Sequence, residues 1–308
     1  ILDHYGLPRK LFAPLMESGS PRGHVLSEVS RKTGLPKTCT VCVSGHDHMS
    51  GATACNLQVG NEALNSTGTS EGLLLLSAKP TLTESSMKRQ ITNGRYVDAS
   101  LFTAYASVPS AGLSFEWSLK TLGYVPDDYY RESLPKLYKS YLDGKFDDSR
   151  VLFVPHLRGS GPPYRDADSR ALTYGMRDTT SRDELVFATH LGTTMEFARL
   201  CECMTDGKGL GKDVRVKVIG PAARNPLWMQ LKADLLGVTF VACDVVEAVA
   251  RGAVIVAARK NGMDVDSQFS MTEYQPNFDH HGILDAEFRS SYIPLCDLIT
   301  KFERHQAN

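Results

Sequence analysis

Three stretches of the chain hold residue types whose spacing could support chemistry. The first is Gly45-His46-Asp47-His48, which follows the strand-like run Thr40 to Ser44. A carboxylate just past a strand end, next to a glycine, can reach a cleft and act as a general base on a hydroxyl. The same Asp47 can instead accept backbone amides in a turn. A metal site from His46, Asp47 and His48 is disfavoured, because ligands two apart on an extended chain face opposite ways and no third ligand is evident.

The second stretch is "NSTGTSEG", Asn65 to Gly72, set between two apolar runs. Gly68 lets the backbone come close to a phosphate, and Thr69 and Ser70 add hydroxyl and amide donors. A plain hairpin turn would use the same residues. It is not a Walker loop, since no Gly-Lys-Ser/Thr follows. The third is Gly220 to Asn225, which joins a strand to a helix N-terminus, where free amides and the dipole favour an anion or a polar ring. Asn225 suits a simple N-cap equally well. Cys39-x-x-Cys42 lies in a strand lead-in rather than at a helix start, which argues against redox work. Cys201 and Cys203 fall on different faces of a helix and read as structural, and Asp166 and Asp168 as solvated loop acids.

Strand-like and helix-like stretches alternate through most of the chain, which argues for an α/β fold. "VRVKVIG" alternates Val214, Val216 and Val218 with Arg215 and Lys217 and ends at Gly220-Pro221, so it predicts a strand and a turn. Asn225-Pro226 then opens a helix with Leu227, Leu231 and Leu235 on one face and Gly237 beyond its end. "VTFVAC" predicts another strand and Val246 to Lys260 another helix. Ser181 and Glu184 form a capping box ahead of a long helix. Ser110 to Leu122 is a further predicted helix, and "GSGPPYRDADSR" a loop. The first 45 residues, with prolines, turns and one short helix over Val25 to Lys32, read as a segment running into a domain.

The balance of 34 Lys+Arg against 35 Asp+Glu leaves a net charge of -1, which gives no electrostatic footprint for nucleic acid or an anionic membrane. The longest apolar runs fall short of a membrane span. Seven cysteines without scaffold-like spacing favour a reducing, cytoplasmic setting. A first residue of Ile1 without an export signal suggests a fragment or a processed chain.

Taken in order, these segments resemble the carboxy-terminal half of the FGGY carbohydrate kinases. "SGHDHMSGA" resembles the family's Gly-x-Asp element, which implies Asp47 as catalytic base and His48 as a sugar contact. "NSTGTSEG" is similar to the phosphate-contacting hairpin, implying Gly68, Thr69 and Ser70. "PSAGLSFEW" resembles the helix start bordering the nucleotide, implying Gly112 and Glu116. "IGPAARNPLWMQLKADLLGV" and "VEAVARGAVIVAA" look like the adenine-side loop and the helix behind it, implying Gly220 and Asn225. The resemblance implies an actin-like (ribonuclease H-like) ATPase domain, with a mixed sheet flanked by helices, over residues 46–308. It implies residues 1–45 as the end of an amino-terminal sugar-binding domain. It also implies ATP and Mg²⁺ as cofactors and a sugar or polyol as substrate, with a homodimer among the expected assemblies.

Departures accompany the likeness. The family usually has Gly-Gly where Gly220-Pro221 stand, and its second signature expects other residues at Thr173, His190 and Leu191. Members of the family carry a further front domain, with its own phosphate loop, ahead of the segment that this sequence resembles. A non-catalytic sugar- or nucleotide-binding module on the same fold is therefore the competing expectation, and an α/β redox protein built on Cys39 and Cys42 a third.

Overall fold

The computed structural model describes residues 1–146 and 151–306. Two short strands, β1 (Pro21–His24) and β2 (Thr40–Cys42), pair antiparallel near the start of the chain. Seven further strands make the main sheet. They are β3 (Glu62–Thr67), β4 (Glu71–Ser77), β5 (Thr92–Arg95), β6 (Phe102–Val108), β9 (Arg215–Ile219), β10 (Thr239–Asp244) and β11 (Ser270–Tyr274), with β7 (Leu152–Val154) and β8 (Leu172–Tyr174) forming a separate pair. The spatial order is β11-β10-β9-β3-β4-β6-β5. Only β3, β9 and β10 run parallel to one another, and the outer pairings are antiparallel.

The central strands are apolar on both faces, as strands covered on both sides must be. Ala63, Leu73, Val216, Val218, Phe240 and Ala242 point to one core, while Leu64, Leu74, Leu76, Ile219, Val241 and Cys243 point to the other. This period-two split explains why "VRVKVIG" reads as a strand even though Lys217 is buried. Residues alternate between the two helix layers rather than between core and water.

The helices are α1 (Ser27–Thr33), α2 (Asp47–Ala54), α3 (Glu84–Lys88), α4 (Gly112–Thr121), α5 (Pro126–Asp128), α6 (Leu134–Leu142), α7 (Arg182–Met204), α8 (Pro226–Leu236), α9 (Ala248–Lys260), α10 (Phe278–Glu287) and α11 (Ile293–Gln306). Helices α4, α7 and α8 cover the larger core and α2 and α9 the smaller. Leu227, Leu231 and Leu235, the predicted face of α8, are buried, and each contributes about 1.5–3 kcal/mol by leaving water. The Ser181–Glu184 capping box forms as expected.

Boundaries move where local chemistry overrides pattern. The helix expected from Val246 begins at Ala248, because Glu247 sits at φ 47 and breaks the run. Asp47, expected in a turn, is the first residue of α2, and His46 is its N-cap. The predicted unit 46–308 includes residues 147–150 and 307–308, which lie outside the described residues.

A fully buried ion pair sits in the larger core. Lys232 of α8 and Glu71, the first residue of β4, are both fully buried and bonded to each other. Lys232 Nζ also donates to Asn65 Oδ1 at 2.9 Å, and Asn65 Nδ2 donates to the Gly72 carbonyl at 3.2 Å. The ammonium lies 5.0 Å from the Trp228 ring and 5.2 Å from the Phe197 ring. Burial lowers the Lys232 pKa, and the Glu71 carboxylate opposes that shift. Removing one partner strands a charge, so Lys232→Met should cost about 3–5 kcal/mol of stability. The double variant Lys232→Met/Glu71→Leu should regain most of the loss. Urea unfolding of both variants checks this, and equal losses would refute a coupled pair.

Candidate functional site

Asp47 owes its position to the start of α2. A carboxylate in the first turn is favoured by the helix dipole, and Asp47 Oδ1 accepts the His48 amide at 2.9 Å. The same oxygen lies 2.6 Å from His46 Nδ1. The side chain stays 61% exposed, so its role in the turn has not taken it away from solvent. His48, one residue on, is more deeply set. Its Nδ1 bonds Ser66 Oγ and its Nε2 bonds Tyr105 Oη, both at 2.7 Å. Burial lowers its pKa against the pull of Asp47, so one ring nitrogen donates and the other accepts. The rings of His46, His48 and Tyr105 stack in sequence, with centroids 5.2 and 4.4 Å apart.

Because His46 caps a helix, the ligand atoms of His46, Asp47 and His48 come within 4.8 Å of one another, unlike the extended arrangement expected. Both His48 nitrogens are hydrogen-bonded, to Ser66 Oγ and Tyr105 Oη.

The hairpin of β3 and β4 closes with Thr67 opposite Glu71 and leaves Gly68, Thr69 and Ser70 exposed at its tip. The tip is held from behind. The Ala111 amide donates to the Thr69 carbonyl at 3.1 Å, Gly112 to Gly68 at 3.1 Å and Leu113 to Thr69 at 3.2 Å. A Cβ on Gly112 would come within 2.2 Å of the Gly68 oxygen. Gly112 therefore braces the hairpin rather than facing the cleft. Glu116, a turn further along α4, is exposed and lies near Tyr130, where its charge adds to the burial that raises the phenol pKa.

The loop after β9 is stapled to the same hairpin. Thr67 Oγ1 donates to the Ile219 carbonyl at 2.9 Å and accepts from the Ala222 amide at 3.1 Å. Gly220 has φ 96, and a Cβ there would sit 1.9 Å from the Thr67 oxygen. Pro221 begins a 3-10 turn, Pro221–Arg224, where the amide it lacks has no partner within the turn. Asn225 is 2% exposed and faces inward. Its Oδ1 caps α8 by accepting the Trp228 amide at 3.0 Å, so its side chain serves the helix and not the cleft surface.

These elements border one open cleft of about 1080 Å³. Asp47, His48, Gly68, Ser70 and Gly220 line it, whereas Thr69, Gly112, Glu116 and Asn225 do not. Sequence reasoning missed Ser66, Tyr130, Arg224, Thr272 and the connection Asp244 to Val249, which complete its walls. Only Arg224 carried a legible signal, as the single cation in an otherwise neutral loop at a helix start. Chemically, the cleft offers an exposed carboxylate, the Ser70 hydroxyl at the hairpin tip and the Arg224 cation of the loop after β9.

Comparison with known proteins identifies the family. The model for the C-terminal domain of the FGGY family of carbohydrate kinases matches residues 63–260. Xylulose kinase of Bacillus subtilis is 26% identical over 263 residues, which is 85% of this chain and 50% of that protein. Glycerol kinase of Bordetella pertussis is 32% identical over 164 residues, 53% of this chain and 30% of that protein. The chain thus spans about half the length, or less, of such relatives. The crystal structure of xylulose kinase from Rhodospirillum rubrum shares the fold with a TM-score of 0.78 at 18% identity, covering 98% of this chain and 60% of that one.

His190, which departs from the second signature, joins α7 to the cap of α8. Its Nδ1 donates to the Val186 carbonyl at 2.9 Å and its Nε2 accepts from Asn225 Nδ2 at 2.9 Å. Burial pushes its pKa down to about 4, with the Val186 carbonyl opposing. The unfolded chain, near 6.5, binds a proton that the folded chain refuses. This contribution is therefore complete above pH 6.5 and is lost as pH falls toward 4, a change on the order of 3 kcal/mol. Glu196, held down to about 2 by Arg199 and His156 against the larger effect of burial, adds its own loss only below about 4.5. Denaturant midpoints between pH 6.5 and 4.5 should fall in the native chain and fall less steeply in His190→Gln, where His48, whose pKa burial also lowers, keeps part of the slope. An unchanged slope would remove His190 as the cause.

Proposed function

The chain belongs to the FGGY family of carbohydrate kinases and has their actin-like ATPase fold, and from that premise we propose that it is the nucleotide-binding half of an enzyme that phosphorylates a sugar or polyol hydroxyl at the expense of ATP. The observation that carries this reading is the shared cleft, in which Asp47 and the tip of the Gly68–Ser70 hairpin line the same space. The tip suits phosphate oxygens, since Gly68 has no side chain, its Cβ direction is open, and the adjoining hydroxyls are exposed.

Asp47 accepts the proton of the attacking hydroxyl, a task its exposed carboxylate can perform without disturbing the core. Gly68 and Ser70 position the phosphates, and the bracing by Gly112 limits the movement of that turn. Gly220 and Arg224 border the nucleoside side, with Tyr130 across the cleft. His48 positions the start of α2 through Ser66 and Tyr105 and presents its ring to the substrate side. Asp47 is the exposed carboxylate that would hold Mg²⁺ accompanying the nucleotide, and the ion would supply charge neutralisation for the phosphates. Residues 1–45 belong in this reading to the sugar-binding domain, whose closure over the cleft would exclude water. A cytoplasmic location, where ATP is available, completes it.

Relatives named xylulose kinase and glycerol kinase make ketoses and small polyols the first substrates to assay. In the full-length protein, Asp47→Asn should lower phosphoryl transfer by at least about 10²–10⁴-fold. Calorimetric affinity for ATP with Mg²⁺ should be retained. Undiminished turnover would exclude Asp47 as the base, and absent nucleotide binding by the native protein would exclude the kinase reading.

A further inference from the structure

Strand β6 sends one side chain across its neighbour toward the start of α2. Tyr105 pairs with Leu74 in the ladder between β4 and β6, yet its ring leans along the sheet and over Gly72. A Cβ on Gly72 would lie 2.6 Å from Cε2 and Oη of Tyr105 and 2.9 Å from Cζ. Gly72 has no φ in the left-handed region, so space alone, and not the backbone, demands glycine there. Crossing Gly72 brings Tyr105 Oη to 2.7 Å from His48 Nε2, with the two ring centroids 4.4 Å apart. The other ring nitrogen, Nδ1, lies 2.7 Å from Oγ of Ser66, the residue of β3 that pairs with Gly72. His48 is thus held between two hydroxyls, one from each strand flanking β4.

We propose that Tyr105 is a positioning residue for Asp47: its phenol, admitted by Gly72, locks His48 in the Nδ1–H tautomer and so fixes the start of α2 on which the carboxylate stands. The inference rests on Asp47 as the base of the kinase reading. A phenol is a stronger donor than an aliphatic hydroxyl, so Tyr105 donates to Nε2 and Nδ1 carries the ring proton. Nδ1–H then donates to Ser66 Oγ. A histidine free in water favours the opposite tautomer, so the protein environment has to impose this one. The His48 amide donates to Asp47 Oδ1 at 2.9 Å, which links the ring and the carboxylate through one residue. With both ring nitrogens engaged, His48 keeps no polar ring atom for a sugar hydroxyl, and its part in the reaction is to hold Asp47.

Removing the phenol separates this role from packing. Phenylalanine at position 105 keeps the ring against the smaller core and over Gly72, and loses only Oη. The His48 ring is then free to turn and to exchange its proton between the two nitrogens. The first turn of α2 loosens, and the Asp47 carboxylate loses its direction while keeping its charge. A misplacement of about 1 Å at a reacting centre costs on the order of 10²-fold in rate. Alanine at position 72 reaches the same state from the other side, because its methyl group expels the phenol from its place over β4.

Two measurements test this. Long-range ¹H–¹⁵N spectra of this chain, with the His48 signals assigned by their loss in His48→Gln, should show the ring proton on Nδ1. In Tyr105→Phe and in Gly72→Ala it should move to Nε2 or exchange between the two nitrogens. A native spectrum with the proton on Nε2, or on both nitrogens, would overturn the proposal, and that result holds should a variant fail to fold. Phosphoryl transfer by the full-length protein is the second measurement. Tyr105→Phe should lower kcat by roughly ten- to a hundredfold while KM for ATP changes by less than about twofold. Added to Asp47→Asn it should cost nothing further, because its effect runs through that carboxylate. An unchanged kcat, or a loss that adds in full to that of Asp47→Asn, sinks the proposal. A native protein that transfers no phosphate removes the kinase reading and this proposal with it, whereas an active protein with an unaffected Tyr105→Phe variant removes this proposal alone.

Discussion

An exposed hairpin tip keeps a fixed position only if it is held at its base, and here the base is a buried charge. Lys232 reaches from α8 to the first residue of β4 and to Asn65 on β3, so both arms of the hairpin are bonded to one ammonium. A buried ion pair is weak evidence for net stability, since desolvation offsets much of the attraction. Its effect is positional. With hydrocarbon in its place the strands could slide, whereas a cation with three directed hydrogens fixes their register relative to the helix. Thr67 continues the brace on the next turn toward the cleft, where its hydroxyl joins Ile219 and Ala222. The hairpin and the loop after β9 therefore move as one body.

The cleft lies where the two helix layers meet the end of the sheet. Ser66 points toward the α2 layer and engages His48, while Asn65 points toward α8 and engages Lys232. Neighbouring residues on one strand thus anchor opposite walls, which is the direct consequence of a side-chain period of two. The start of α2 is held by its ring contacts at one end and by the packing of Ala52 and Cys55 at the other. That leaves Asp47 rigid in backbone, with a side chain that stays mostly exposed although Oδ1 is bonded to the His48 amide and lies against His46.

Two departures from the family pattern acquire physical reasons. Pro221 occupies the first position of a 3-10 turn, so its missing amide leaves no bond unmade. His190 puts a buried imidazole where the second signature expects a hydrophobic residue, and its polar ring is matched by Asn225, whose amide it accepts while the other end of that side chain caps α8. One interior hydrogen-bond chain runs from the Val186 carbonyl to the Trp228 amide. Asn225 belongs to that chain, and this is why it is absent from the cleft surface.

By itself the sequence determined the things that depend on near neighbours. The capping box at Ser181, the apolar face of α8, the strand ending at Gly220 and the hairpin at Gly68 all follow from local periodicity and turn chemistry, and all stand in the structure. The family was legible because its motifs appear in order along the chain. Only the tertiary structure decided which of the marked residues share a surface. Gly112 and Asn225 look like ligand contacts from their helix-start positions, but their partners, Gly68 and His190, are 44 and 35 residues away, and no local rule reveals such bonds. Tyr130 and Thr272 enter the cleft from segments without any motif, because a wall needs only shape and placement. Asp47 changed from turn to helix because its φ and ψ were set by the packing of α2 against α9, a contact made by residues 200 positions downstream.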